Sequence, residues 1–209
     1  MTAGLNIDRA RAWLDALPRY ETRHGVAMLV SEHDGDRRYC AVGVCAETAR
    51  LGGAPLTIRA VPLDWPSDGH VLDYVDTRTG RNDPYGPLHA WLGVDLLHIR
   101  VVLAALPGWL RERIAARLDA DHLERPYAPH WRDYGDGGVD GLAIYLLSDA
   151  RVPFDLIADA LRVTLDVDPE RVPGTVAHGL CVAQEAAEGG PWSDGNPEPA
   201  VALTAAGAR

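Results

Sequence analysis

Lysine is absent from this chain: all 20 basic residues are arginine. The chemistry this removes is specific. A Schiff base to pyridoxal phosphate or to a carbonyl substrate needs a lysine amine, a Walker A loop needs one on its phosphates, and a protein kinase needs one on a core strand. Those enzyme classes are excluded. The bland origin of the bias, a GC-rich genome, agrees with the abundance of Ala, Gly, Pro and Asp. The chain also lacks G-x-G-x-x-G, H-E-x-x-H, G-x-S-x-G and C-x-x-C.

Cysteine, cationic charge and long apolar runs are equally scarce. Three cysteines, an odd number, fit reduced thiols in a reducing compartment better than a disulfide framework. A net charge of −10 and a pI near 5.2 argue against a nucleic-acid groove, which depends on clustered cations. No run of ~18 apolar residues is present. The stretch from Met1 to Arg19 carries acids and Pro18 where a signal peptide needs an apolar core. A soluble, cytoplasmic protein with no membrane contact is expected.

What is present suffices for one core. With 209 residues, 47% hydrophobic and 24% charged, the chain is expected to form a single α+β domain over residues 5–188. A few short strands in the first third would be packed by several helices, and 189–209 would be a loose, flexible tail. Ile7 to Tyr20 shows helical spacing after Asn6, a cap candidate, with Pro18 as its stop. Gly25 to Val30 suits a strand, and Ser31 to Arg37, with Asp34-Gly35, a solvated turn. Leu56 to Leu63 and His70 to Val75 read as strands joined by a turn at Trp65 to Gly69, followed by a polar loop from Thr77 to Pro87. Helices are predicted at Leu88 to Leu106, Pro107 to Leu123, Pro153 to Leu165 and Pro173 to Glu188, with an irregular stretch from Glu124 to Asp140.

The run from Arg38 to Leu51 holds two of the cysteines and ends in Gly52-Gly53, so it reads as a buried helix of about three turns. Residues five apart on a helix are rotated by ~140° and separated by roughly 8 to 9 Å, beyond the ~7 Å reach of a disulfide. On a strand they would face opposite sides. Cys40 and Cys45 therefore act separately. Gly43 in mid-helix costs about 1 kcal/mol relative to alanine and is expected to mark close helix packing.

Three segments carry a family resemblance. Trp13-Leu14-Asp15-Ala16-Leu17 with Tyr20, then Tyr39-Cys40-Ala41-Val42-Gly43-Val44-Cys45, then Leu146-Leu147-Ser148-Asp149 with Phe154, Ile157, Ala158 and Asp159 resemble motifs of an uncharacterised family found in actinobacteria and their phages. Its members carry W-x-x-A-L-x-x-x-Y, C-C-L-G-V-x-C-D-like and L-N-D-x-x-x-x-x-F-x-x-I-A-D-x-I helices in this order. Here Ala41 replaces a cysteine, Ser148 an asparagine, Glu47-Thr48 stands for acid-leucine, and 95–140 reads as an insertion. The resemblance supports order and fold, not function.

Candidate functional residues fall into two groups. Cys40, near a helix N-terminus and beside Arg37 and Arg38, has the setting that stabilises a thiolate, and His24, His33 or His178 would be its base in a cysteine-dependent enzyme. The bland alternative is an inert core thiol. The second group is Tyr127, His130, Trp131 and Tyr134, aromatics in an irregular stretch, of the residue types that anchor protein interfaces. Covering the sheet is their structural alternative. His178 and Cys181 share a helix face, which permits a metal pair, but no second pair is identifiable; Asp133, Asp136 and Asp140 sit among glycines and could bind calcium, but their spacing matches no EF-hand loop. No cofactor and no metal are expected. The favoured reading is a non-enzymatic interaction or regulatory domain with a protein partner, an accessory of a phage or other mobile element; a Cys40 enzyme is the alternative.

Overall fold

The computed structural model describes residues 4–26, 28–33, 35–62, 70–124 and 141–175. They build an α+β fold in which five α-helices and three antiparallel strand pairs surround a sixth, central helix. The first helix, α1 (Ile7–Ala16), begins at Asn6, whose side chain accepts the Arg9 N–H at 3.1 Å and so satisfies one of the orphan donors of the first turn. It buries Ala10, Trp13 and Leu14. Pro18 does not end the helical path: the chain tightens there into a 3₁₀ segment, Leu17–Arg23, because proline's fixed φ suits a first turn.

Strands β1 (Val30–His33) and β2 (Asp36–Tyr39) pair from Val30↔Tyr39 to His33↔Asp36 around Gly35, whose φ is +81°. The polar segment expected to be only a turn is thus most of a hairpin, and among the described residues of the apolar run before it only Val30 is strand. Helix α2 (Ala41–Leu51) follows directly. Every residue from Ala41 to Glu47 is buried, as is Ala49, so α2 is the centre of the core. The Trp13 indole N–H donates to the Ala41 carbonyl at 3.1 Å. Gly43 faces the backbone of Leu29: a β-carbon there would lie 1.7 Å from the Leu29 carbonyl oxygen. The close approach inferred from the sequence is real, but the neighbour is a turn and not a helix.

Strands β3 (Leu56–Pro62) and β4 (His70–Asp76) pair in register from Leu56↔Asp76 to Pro62↔His70, as their alternation predicts. The long helix expected over Leu88 to Leu106 is broken up. Helix α3 (Tyr85–Leu92) stops at Gly93, which takes φ +86° as a left-handed cap; a 3₁₀ turn (Leu96–His98), the short β5 (Arg100–Val101) and a second 3₁₀ turn (Leu103–Ala105) follow. Helix α4 (Gly108–Glu124) buries Leu110, Ile114 and Leu118. Then β6 (Leu142–Ala143) pairs with β5 and runs into α5 (Ile144–Asp149), neither of which the periodicity suggested.

Helix α6 (Phe154–Leu165) presents the predicted apolar stripe, with Phe154, Ile157, Ala158 and Leu161 all fully buried. Burying each large aliphatic or aromatic side chain contributes ~1.5–3 kcal/mol. Arg162, on the other face of α6, is also buried and reaches Asp15 at 2.6 Å and Asp159 at 3.2 Å. Pro173 and Gly174 form a turn; the remainder of the helix expected from Pro173 to Glu188, the expected tail and the Trp65 to Gly69 turn lie outside the described residues. Among the described residues no helix is long and apolar enough to cross a membrane.

Candidate functional site

The N-terminus of α2 is where four distant segments meet. Cys40 is the N-cap, with an extended backbone (φ −78°, ψ 172°), and its Sγ accepts the Gly43 N–H at 3.3 Å. The Ala41 N–H, a second orphan of that first turn, donates to the Ser148 Oγ at 3.0 Å. Ser148 is fully buried at the end of α5. His24 Nε2 lies 3.0 Å from the Ser148 carbonyl oxygen and 3.2 Å from its Oγ, and the imidazole stacks on Phe154 with ring centres 4.0 Å apart. Glu21 completes the junction: its Oε2 accepts the Phe154 N–H at 2.6 Å, capping α6, and its Oε1 is 4.0 Å from His24 Nδ1.

Serine, histidine and glutamate in series have the composition of a nucleophilic triad, but the hydrogen bonds run the wrong way. A carbonyl oxygen only accepts, so the bond to the Ser148 carbonyl places the hydrogen on His24 Nε2, where a triad base must have its lone pair. The Ser148 oxygen is in turn occupied by the Ala41 N–H and shielded from solvent. The set is a structural latch between the 3₁₀ segment, α2, α5 and α6. Burial, the largest influence, holds His24 below the ordinary histidine range against the upward pull of Ser148 and Glu21.

Cys40 itself lines a cavity of about 210 Å³. Its walls are Met28 and Leu29 of the turn before β1, Val42 of α2, Leu96 and Leu97, and Ala143 to Tyr145 of β6 and α5; Tyr85, Arg100 and Asp149 add polar groups. The Arg100 guanidinium donates back to the carbonyl oxygens of Leu97 and of Ile99, the latter at 3.1 Å, so its charge is turned toward its own chain. The helix N-terminus does what was expected of it, since the N–H groups of Gly43 and Val42 favour the Cys40 thiolate. Burial outweighs them, and with the charge of Asp149 pushes the thiol up to about 11. Cys45 is free, fully buried and pushed up by burial as well.

A second polar knot braces the middle of α2. Arg50 holds the buried Glu47 carboxylate through Nε and a terminal nitrogen at 2.8 and 2.7 Å, and the Tyr74 hydroxyl donates to the same carboxylate at 3.1 Å. Burial raises the Glu47 carboxyl, but the bonds and charge of Arg50 more than reverse it and keep it ionised. Near the other end of α2 an open groove of about 200 Å³ runs between Gly52–Pro55 and Trp91, with the Arg9 guanidinium 5.7 Å above the Trp91 ring. Among the described residues no three His, Cys, Asp or Glu side chains gather as a metal site.

Of the residues singled out from the sequence, only Cys40 lies in the cavity. His24 is directed at Ser148, and the His33 side chain is not described. Tyr127, His130, Trp131 and Tyr134, together with His178, Cys181, Asp133, Asp136 and Asp140, lie outside the described residues. Sequence reasoning missed Tyr85, Arg100 and Tyr145 as cavity residues and Ser148 as a cap. The one signal for Ser148 was a small polar residue closing the apolar run Leu142 to Leu147. Comparison of the chain with protein families, with curated proteins and with solved structures finds no match.

Proposed function

We propose that this chain is a non-enzymatic protein-interaction domain and that the cavity at the N-terminus of α2 receives one side chain of its partner. The observation that carries the reading is the cavity's size and rim. About 210 Å³ falls below the ~300–1,000 Å³ of sites for cofactors and drug-sized ligands. It suits a single inserted side chain. Two of the chain's exposed large apolar residues, Leu97 at 46% and Tyr145 at 50%, line it, as the rim of a protein-binding hot spot requires. Tyr127, His130, Trp131 and Tyr134, which precede this wall in the chain, belong to the proposal by residue type alone.

The thiol chemistry favours the same side. Burial keeps the Cys40 thiol protonated near neutral pH, and His24 is spent on Ser148. The cytoplasmic setting in this reading rests on the reduced thiols expected from the sequence, and the accessory role in a phage or mobile element on the origin of the family that the motifs resemble. The test is capture of host proteins by wild type and by Leu97→Asp and Tyr145→Asp. Both positions are half exposed, so the variants should melt within about 3 °C of wild type. Loss of the wild-type partner by folded variants supports the reading; undiminished capture sinks it.

A further inference from the structure

We propose that the open groove beside the C-terminal end of α2 binds the carboxylate of a small organic acid, at a site separate from the cavity at the other end of that helix. Four segments line it: Arg9 comes from α1, Gly52 to Pro55 from the turn after α2, Arg78 from the turn after β4, and Pro87, Ala90 and Trp91 from α3. The decisive group is the Trp91 indole. Only 7% of Trp91 is exposed, and among the described residues nothing accepts a hydrogen bond from its Nε1–H, which faces Gly52 in the groove lining. A β-carbon at Gly52 would lie 3.4 Å from that nitrogen, so the missing side chain leaves the approach to the indole open. A largely buried donor without a partner in its own chain calls for an acceptor from outside it.

Two guanidiniums complete the donor set, and no carboxylate is among the lining residues. Arg9 is fixed by two contacts, its terminal nitrogen donating to the Trp91 carbonyl at 2.7 Å and its central carbon standing 5.7 Å over the ring, and neither partner is an anion. Its charge stays whole. The neighbouring Asp8 is held by Arg11 at 2.9 Å. Arg78 differs, because Asp76 grips its Nε and one terminal nitrogen, each at 3.1 Å; that balances its charge and still leaves it further N–H donors. One unbalanced cation suits a monoanion such as a carboxylate better than a phosphate dianion. Pro55, Pro87 and Ala90 offer a short apolar part something to pack on, and a volume of about 200 Å³ keeps the acid small. The negative end of α2 is blunted here, since the N–H groups of Gly52, Ala54 and Gly53 take up the carbonyls of Thr48, Ala49 and Arg50 at 2.9, 2.9 and 3.1 Å. An acidic protein segment is a poorer occupant than a free acid, because the net charge of −10 repels it.

The probes are butyrate, its neutral isostere butyramide and inorganic phosphate, titrated into the ¹⁵N-labelled protein. The readout is the Trp91 indole N–H resonance, assigned through bonds. Butyrate should move it downfield and saturate at ~1–10 mM, whereas butyramide should leave it in place at the same concentrations. Arg9→Gln should weaken butyrate about tenfold, and so should a rise in salt from about 50 mM to about 500 mM in wild type. Arg9 is exposed on α1, and the wild-type comparison of butyrate with butyramide decides the matter even if the variant does not fold. Equal shifts with butyrate and butyramide, saturation by phosphate at a lower concentration than butyrate, or undiminished butyrate binding by folded Arg9→Gln overturns the inference. So does the lack of a saturable shift by about 50 mM butyrate.

Discussion

The latch at the N-terminus of α2 and the seam between α1 and α6 both tie helices that are far apart in sequence, and they do it with opposite chemistry. At the latch the groups that meet the start of α2 are neutral and dry: the Cys40 thiol, the buried Ser148 hydroxyl and a histidine that burial keeps from charging, with the half-exposed Glu21 carboxylate at the outer end. In the seam they are ions, partly exposed to water except for the buried Arg162. Arg11 forks onto Asp168 at 2.7 Å, and Asp15 takes Arg162 at 2.6 Å and Arg171 at 2.8 Å. Neutral bonds in a dry site are individually modest to form and costly to break, since a buried donor left alone keeps its whole desolvation penalty. Half-exposed ion pairs form and break at little cost. Stability should concentrate at the latch, and the candidate cavity borders the latch and not the seam.

The largest effect is expected at Gly43, whose missing side chain is what lets the Leu29 turn lie on α2. Gly43→Ala places a carbon 1.7 Å from a backbone oxygen, so the turn or the helix must move. A loss of about 3 kcal/mol or more in urea unfolding is predicted. A loss under about 1 kcal/mol, the ordinary size of a surface change, would show the approach to be looser than described.

Ser148→Ala should come next. It strands the Ala41 N–H in a buried first turn and should cost about 1–3 kcal/mol, with no change in the denaturant slope. Equality with the seam variants would erase the contrast between the two regions.

The latch also has a pH signature. The folded His24 resists protonation because it is buried, whereas in the unfolded chain it titrates near its ordinary ~6.5. The unfolded chain thus binds the proton first. Its contribution is complete above about 6.5 and is lost as the pH falls through that value. Glu21 and Asp149 face the ring and oppose this, Arg151 reinforces it. Wild type should lose more stability than His24→Gln between about pH 7.5 and about pH 5; parallel curves would mean that His24 is not held neutral.

Arg171→Gln, in the seam, should be the mildest. Arg171 is half exposed, and Asp15 keeps Arg162, so a loss of at most about 0.5 kcal/mol is expected, vanishing in high salt. A larger, salt-independent cost would move the seam into the class of the latch.

These contrasts also explain what the sequence disclosed. Helices α1, α2, α4 and α6 were legible because their signals are local: the Asn6 cap, the Gly52-Gly53 stop, Pro107 and Pro153, and continuous apolar stripes. The break after Leu92 was not, since apolar residues continue from Leu96 to Leu106 and only the left-handed Gly93 interrupts them. The β1–β2 hairpin was hidden by its polar strands, Ser31 to His33 and Asp36 to Arg38, which lack the alternation of a half-buried pair. Cys40 was recognisable as a residue at a helix start. Its partners were not: Ser148 lies 107 residues from Ala41 and 124 from His24, and no spacing rule spans such distances.

The central claim is that the cavity rim, and not exposed apolar surface in general, is where the partner binds. Leu51 and Leu123 are more exposed, at 68% and 81%, than Leu97 and Tyr145, at 46% and 50%, and they are not part of the cavity lining. The direct measurement compares partner capture by two folded double variants, Leu97→Asp with Tyr145→Asp and Leu51→Asp with Leu123→Asp. Loss of the partner by the first pair alone is the predicted result, and equal loss by both, or loss by the second pair alone, would contradict it.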